Sequence, residues 1–436
     1  MLKNIVVVFI WQGATYIVPL ITVPYLSRVL GAESFGVLGV ATNIVAYLIL
    51  ITDWGFSLTA TQAVAQASGD PARLRTIFWD TMFARLLLGL VSFALLAIGM
   101  AFAPHMPGLG PVLLLSLIQV FAAMLTVGWF LQGLEKMVAT STLTLVARFL
   151  TLPLTIAFVH SPKDAGAAAA IQGAMALVAA LVSIVVSMRA APLAPARFDL
   201  KGALNEIHSG WQVFVAGGAA SLYTQSNVIL LGFASGPIQA GYFNGAERIR
   251  RAMQGLIAPI TTAVYPRINK LIVDQPGRAL RLMVRLLAVQ ATLSFAVSLF
   301  MFLAAERLTT LVLGQGFMDA IPSVRWMAAI PFIVGVNNAL GIQIMLPLGM
   351  KKAFSGVLIA GGLFNLVLLL PLARRYGAVG ASMSMVATEI VVTLLMIAMV
   401  YRDRDHLREL AKPLEDATSQ QAVHELETSV AALDGL

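Results

Sequence analysis

Twelve mainly apolar runs, separated by short polar breaks, follow one another along the chain. They lie near residues 5–29, 36–66, 78–103, 110–133, 138–159, 166–188, 207–233, 238–268, 282–304, 320–347, 353–373 and 378–401. An α-helix needs roughly 20 such residues to cross a bilayer. The pattern therefore predicts an all-α membrane protein with twelve transmembrane helices. The opening stretch "MLKNIVVVFIWQGATYIVPLITVPYLSRVLG" is too long in its apolar part for a secretory signal, and no A-x-A site follows it. It reads as an uncleaved first helix.

Composition agrees. Of 436 residues, 59% are hydrophobic and 11% charged, against about 25% charged in an ordinary soluble domain. Too little polar surface exists to cover a soluble fold. With no cysteine, disulfides and thiolate metal sites are excluded. The five histidines show no HxH or HExxH spacing, and there is no P-loop or GxSxG. The sequence thus offers no catalytic residues and no metal site.

The net charge of +8 does not point to a nucleic acid, because the basic residues fall between apolar runs rather than in one cluster. Topology explains them. Seventeen Lys and Arg, from Lys3 and Arg73 through Lys201 and Lys351 to Lys412, share one face, against five (Arg28, Lys163, Arg307, Arg374, Arg375) on the other. By the positive-inside bias both termini are cytoplasmic, with Arg374 and Arg375 the one loop against the trend.

The chain also resembles itself. "GDPARLR" follows the second run and "DQPGRALR" the eighth, so that Arg73 and Arg278 stand 205 positions apart. Gly36 in "SFGVLG" and Gly241 in "AGYFNG" share that offset. This predicts a six-helix N-terminal half at 1–190, a cytoplasmic linker at 191–206, a second half at 207–402 and a cytoplasmic tail at 403–436. Six spans per copy keep the halves parallel, with a central cleft between them and alternating access by rocking.

The stretch 19–66 resembles the N-terminal signature of the Wzx-type polysaccharide and O-antigen flippases, of the multidrug/oligosaccharidyl-lipid/polysaccharide transporter superfamily. The matching pieces are Pro19, "PYLSRVLG" at 24–31, "FG" at 35–36 and "DWGF" at 53–56; the second half matches mainly in layout. The resemblance implies a flippase of the bacterial inner membrane and no enzyme. Its substrates would be undecaprenyl-pyrophosphate-linked oligosaccharide repeat units for O-antigen, capsule or exopolysaccharide. A polysaccharide polymerase and chain-length machinery are the implied partners. Relatives that flip the peptidoglycan precursor usually carry two more spans, beyond the twelve apolar runs that the pattern predicts here.

Charges inside the apolar runs are the candidate functional groups, since each costs about 2.5–3.5 kcal/mol at the bilayer centre on insertion scales. At ~1.5 Å rise per residue, Arg148, Glu247 and Glu389 fall about 14–17 Å into their spans, close to the midplane. Arg285 and Arg325 sit near span ends and snorkel to the interface. In "LILITDWGFSLTA", Asp53 lies at a similar level to Arg85 on the next helix. Three roles fit Asp53: a structural ion pair, a pair that opens with the cavity, or a protonation site for a proton or sodium gradient, since desolvation disfavours a charged carboxylate.

In "NGAERIRRAMQG", Glu247 and Arg251 share a helical face, with Arg248 nearby. This is either an intrahelical salt bridge or a cationic face towards the cleft, where the planar fork of arginine suits phosphate. The substrate-binding candidates are Arg28, Arg85, Arg148, Arg248 and Arg251; those for ion coupling or gating are Asp53, Glu247 and Glu389. Pro19, Pro24, Pro259 and Pro266 bend helices. The tail carries a short apolar stripe (Val423, Leu426, Val430, Leu433), read as a solvated helix or a docking segment.

Two other functions compete. A drug/cation antiporter of the same fold would favour acidic or aromatic cavity residues, whereas arginine exceeds carboxylate here. A membrane polymerase, ligase or glycosyltransferase would need a larger extramembrane loop than Ala305 to Asp319.

Overall fold

Inside a bilayer every backbone N–H and C=O must find a partner within the chain, which leaves an apolar sequence with helix as its solution. The computed structural model follows that rule and describes residues 2–255, 257, 268, 271–272 and 275–403. Pro259, Pro266, Arg267, Lys270 and the apolar stripe of the tail lie outside the described residues. No strand occurs among the described residues.

The helices, in chain order, are α1 Leu2–Asp53, α2 Phe56–Gln66, α3 Pro71–Phe102, α4 Leu109–Ser116, α5 Ile118–Leu125, α6 Gly128–Gly133, α7 Met137–Phe158, α8 Ala165–Ala190, α9 Leu200–Ser235 and α10 Pro237–Gly255. After them come α11 Pro276–Leu303, α12 Ala305–Val312, α13 Ile321–Met327, α14 Ile330–Asn338 and α15 Lys351–Arg402. Seven helical stretches among the described residues are long and apolar enough to cross a membrane. The fold is a multi-pass all-α membrane bundle.

α15 has 52 residues, which as one rod would be about 78 Å long, against a hydrocarbon core of ~30 Å. The non-helical backbone of Gly377 (φ 56, ψ −133) folds it into a hairpin. Across that hairpin a Cβ on Gly361 would collide with Val392, and Asn365 donates to Ser384. α1 is broken in the same way at Gly31 (φ 69, ψ 175). Gly236 (φ 88, ψ 172) separates α9 from α10 with nearly the same angles, 205 positions later.

Some expected spans are not continuous, and two of the interruptions bear on the site. The run 36–66 breaks at Trp54 and Gly55, both at positive φ. The run 110–133 breaks at Thr126, whose backbone is extended (φ −70, ψ 121). The expected linker is partly helical, since α9 begins at Leu200; the stretch before it docks on α3, where Arg75 and Trp79 donate to the carbonyl of Ala194.

The described residues belong to two compact units. The first draws on Met1–Ala252, Leu303–Met327 and Gly362–Met385, the second on Met253–Phe302, Ala328–Gly361 and Val386–Leu436. In the first, Phe56, Phe78, Met82, Trp129 and Phe130 form a buried core. In the second, Leu340, Met345, Val357, Val392 and Met396 do so. Large apolar side chains such as Leu90, Ile98 and Phe102 on α3 and Phe295 and Phe300 on α11 remain exposed. Such a surface is a liability in water and the expected one against lipid.

Candidate substrate cavity

The break in the fourth apolar run builds the site. Where α5 stops at Leu125, its last carbonyls lose their helical partners. Arg85 from α3 supplies one, donating to the carbonyl of Ala123 at 2.7 Å. Thr126 Oγ1 donates to Ala122 O at 2.7 Å, and Ser183 Oγ of α8 accepts weakly from Val127 N. Arg85 is 3% exposed and lies 3.3 Å from Asp53. Asp53 in turn ends α1 at the second break, beside Trp54, whose indole donates to Ile207 O at 2.8 Å and stacks on Phe214 at 3.8 Å. One ion pair thus ties two interrupted spans together.

Beside that break, in the first unit, lies a cavity of about 620 Å³. Gly39 and Thr42 of α1, Gln119 of α5, Thr126 and Gly128 line it, as do Thr144, Arg148 and Thr151 of α7. Gln172, Ala176, Ala179, Ala180 and Ser183 form the face contributed by α8, and Asn244 and Arg248 that of α10. The recurrence of alanine on α8 leaves the space, because a methyl side chain gives volume to whatever faces it. Among the described residues no carboxylate lines this cavity. Among the described residues neither Arg148 nor Arg248 forms a salt bridge. The Nε2 of Gln119 is buried and has no hydrogen-bond partner among the described residues. Val23, Leu26, Phe35, Leu38, Leu143 and Met175 make much of the wall apolar, and within it Arg148, Arg248 and the amide of Gln119 are the donors open to an anionic guest.

The other candidates are placed differently. Arg251 is not in the cavity wall; it is half exposed and donates to Glu247 at 2.7 Å. Glu247, 5% exposed, also takes both nitrogens of a fork from Arg250, at 2.6 and 2.7 Å. Arg28 is exposed and donates to the carbonyl of Leu311. Glu389 lies in the second unit, buried, and accepts from Asn337 Nδ2 at 2.9 Å, while Thr393 donates to Asn337 Oδ1 at 2.7 Å. Next to Asn337 the chain passes into a π-helical turn, Ala339–Met345, a form often found at functional positions.

Reasoning from charge alone missed Gln119, Gln172 and Asn244. A neutral polar side chain within an apolar run was the available signal. It also missed Arg250 as the main partner of Glu247: Arg250 stands three positions on and Arg251 four, and register allows both.

A multi-pass helical bundle with an internal cavity whose wall sets two cations and, among the described residues, no carboxylate against an apolar surround has the build of a membrane transporter. Comparison with known proteins gives the family. The profile of the polysaccharide biosynthesis protein family matches residues 1–272. A proposed O-antigen transporter of Escherichia coli (strain K12) is 33% identical over 92% of this chain and 97% of its own length. One from Shigella dysenteriae is 30% identical over 92% of this chain and all of its own. The chain belongs to this family of polysaccharide and O-antigen transporters, which are not enzymes.

The fold is shared more widely. The lipid II flippase MurJ in an inward closed conformation matches with a TM-score of 0.68 at 13% identity, over 90% of this chain and 87% of that one. An inward-facing MATE-family multidrug transporter matches at 0.62 and 15%, over 92% and 96%.

Proposed function

We propose that this transporter flips undecaprenyl-pyrophosphate-linked oligosaccharide repeat units from the cytoplasmic to the periplasmic leaflet of the bacterial inner membrane. It does so as a twelve-span protein with both termini cytoplasmic and two parallel six-helix halves that alternate access to a cationic cleft. The observation that carries this reading is the cavity itself, with Arg148 and Arg248 in its wall and, among the described residues, no carboxylate beside them there. A pyrophosphate needs cations that are not already neutralised, and arginine meets it with paired hydrogen bonds. The threonines, Gln119 and Asn244 suit sugar hydroxyls, and the polyprenyl tail stays in the lipid. A cavity of about 620 Å³ is within the usual ~300–1,000 Å³ of ligand sites. The paired breaks at Gly31 and Gly236 support the internal repeat.

Arg28 and Arg85 bracket the path, Arg85 by fixing the wall. Asp53, Glu247 and Glu389 are the positions for ion coupling or gating, with a proton or sodium gradient as the drive. The polymerase and chain-length machinery receive the product. A drug/cation antiporter of the same fold fits less well, because a cationic lining repels its substrates. The test is polysaccharide export in a strain lacking its own flippase, supplied with this protein. Export restored by the wild type and lost with Arg148→Ala and Arg248→Ala at normal membrane abundance is the expected result.

A further inference from the structure

Gly31 and Gly236 break the helical path with matching angles, and each is followed five residues later by another glycine, Gly36 and Gly241. These second glycines make a crossing. A Cβ on Gly36 would collide with the carbonyl oxygen of Pro237, and a Cβ on Gly241 with that of Ala32. Ala32 and Pro237 are themselves 205 positions apart. The two contacts therefore exchange under the internal repeat, as contacts on a two-fold axis do: residue i meets j, and its copy meets the copy. Both segments belong to the first unit.

One turn further along, a Cβ on Gly39 would lie 2.6 Å from the amide of Asn244. Gly39 and Asn244 share the same offset, and both line the cavity. The crossing thus abuts the cavity wall at the end marked by Gly31 and Gly236, the end that positive-inside topology assigns to the periplasm.

We infer that this glycine crossing is the periplasmic gate of the cavity, shut in this structure and opened by separation of the two backbones. The inference rests on the alternating-access reading above. Its physical basis is that at Gly36 and Gly241 no side chain stands between the two backbones. Two backbones in direct contact leave no passage for a hydrated headgroup. Small residues permit such an approach between membrane helices, and contacts of the Cα–H to carbonyl kind are individually weak. The glycine contact is therefore tight when made and itself adds no strong bond to be broken on opening, unlike the neighbouring hydrogen bond from Arg28 to Leu311 O.

The test uses the absence of cysteine. Thr42→Cys, in the cavity wall, reports access from outside through its rate of reaction with a membrane-impermeant maleimide. Gly36→Val or Gly241→Val wedges the crossing, and either is expected to raise that rate at least fivefold. An unchanged rate in a variant of normal membrane abundance overturns the gate. This readout needs no substrate, so it fails separately from the flippase reading. Should both valine variants fail to accumulate, Ala32→Cys with Pro237→Cys decides. Bridging that pair with a short thiol-specific cross-linker is expected to stop export until the link is reduced; undiminished export by fully cross-linked protein shows a static contact and overturns the gate.

Discussion

Arg85 holds Asp53 at 3.3 Å with one nitrogen and the carbonyl of Ala123 at 2.7 Å with another. The ion pair is therefore one arm of a three-point brace whose other arm closes the gap in the fourth apolar run. A hydrogen bond to a charged group contributes about 1.5–3 kcal/mol, so Arg85→Ala is expected to lower membrane abundance severalfold. Asp53→Asn, which keeps an oxygen for Arg85, leaves abundance near normal and reduces export. The charge swap Asp53→Arg with Arg85→Asp does not rescue, because an aspartate at 85 has no donor for Ala123. Immunoblotting of membranes beside an export assay separates these outcomes, and recovery by the swap would contradict the brace.

Glu247 is a buried anion shared by Arg250 and Arg251. Removing one partner of a buried pair costs about 3–5 kcal/mol, whereas replacing both with apolar residues is often neutral. Glu247→Gln should lower the melting temperature of the detergent-purified protein. Glu247→Leu with Arg250→Leu should restore most of it, and melting curves that rank the two the other way would rule out a structural clamp.

Much of this was legible in the chain and some was not. The apolar runs, the glycine pair at the 205-residue offset and the level shared by Asp53 and Arg85 all follow from local hydropathy and helical rise. The break at Thr126 does not, because "MLTVGWF" is apolar and contains no proline. It exists because Arg85 and Ser183, distant in sequence, take over the hydrogen bonds that the helix gives up. Likewise Trp54 sits at φ 48, a strained value for a bulky residue. Its contacts with Ile207 and Phe214, some 150 residues away, hold it there. Tertiary partners decided those two positions, and only the glycine beside Trp54 hinted at either.

Gln119 gives a prediction in which stability and transport separate. Its Nε2 is buried without a partner, so truncating it removes an unmet polar group rather than a bond. Gln119→Leu is expected to leave thermal stability unchanged or raise it, while export falls severalfold through loss of a contact to the guest. A loss of stability instead would show that the amide is engaged structurally.

In the second unit the buried Glu389 and Asn337 and the half-buried Thr393 form a hydrogen-bonded chain. Glu389→Gln keeps the size and an oxygen for Asn337 but cannot change charge. If Glu389 couples transport to an ion gradient, this variant accumulates normally and loses the dependence of transport on that gradient in proteoliposomes. Unaltered gradient dependence would leave Glu389 a packing residue.

Arg148 and Arg248 carry the substrate claim, because among the described residues they are the two charged side chains in the cavity wall. They come from α7 and α10, and no carboxylate among the described residues of that wall competes with an anionic guest. Lysine at either position keeps the charge and gives up the planar fork that pairs with two phosphate oxygens. Arg148→Lys and Arg248→Lys should therefore retain partial export, and the alanine variants should lose most of it. Arg251, held by Glu247 outside the wall, is the internal comparison: Arg251→Ala should cost far less export than either cavity substitution. Each variant is measured for export in a strain lacking its own flippase and for abundance in the membrane. Normal export by a stable Arg148→Ala, Arg248→Ala double variant would remove the cationic cavity as the path of the pyrophosphate.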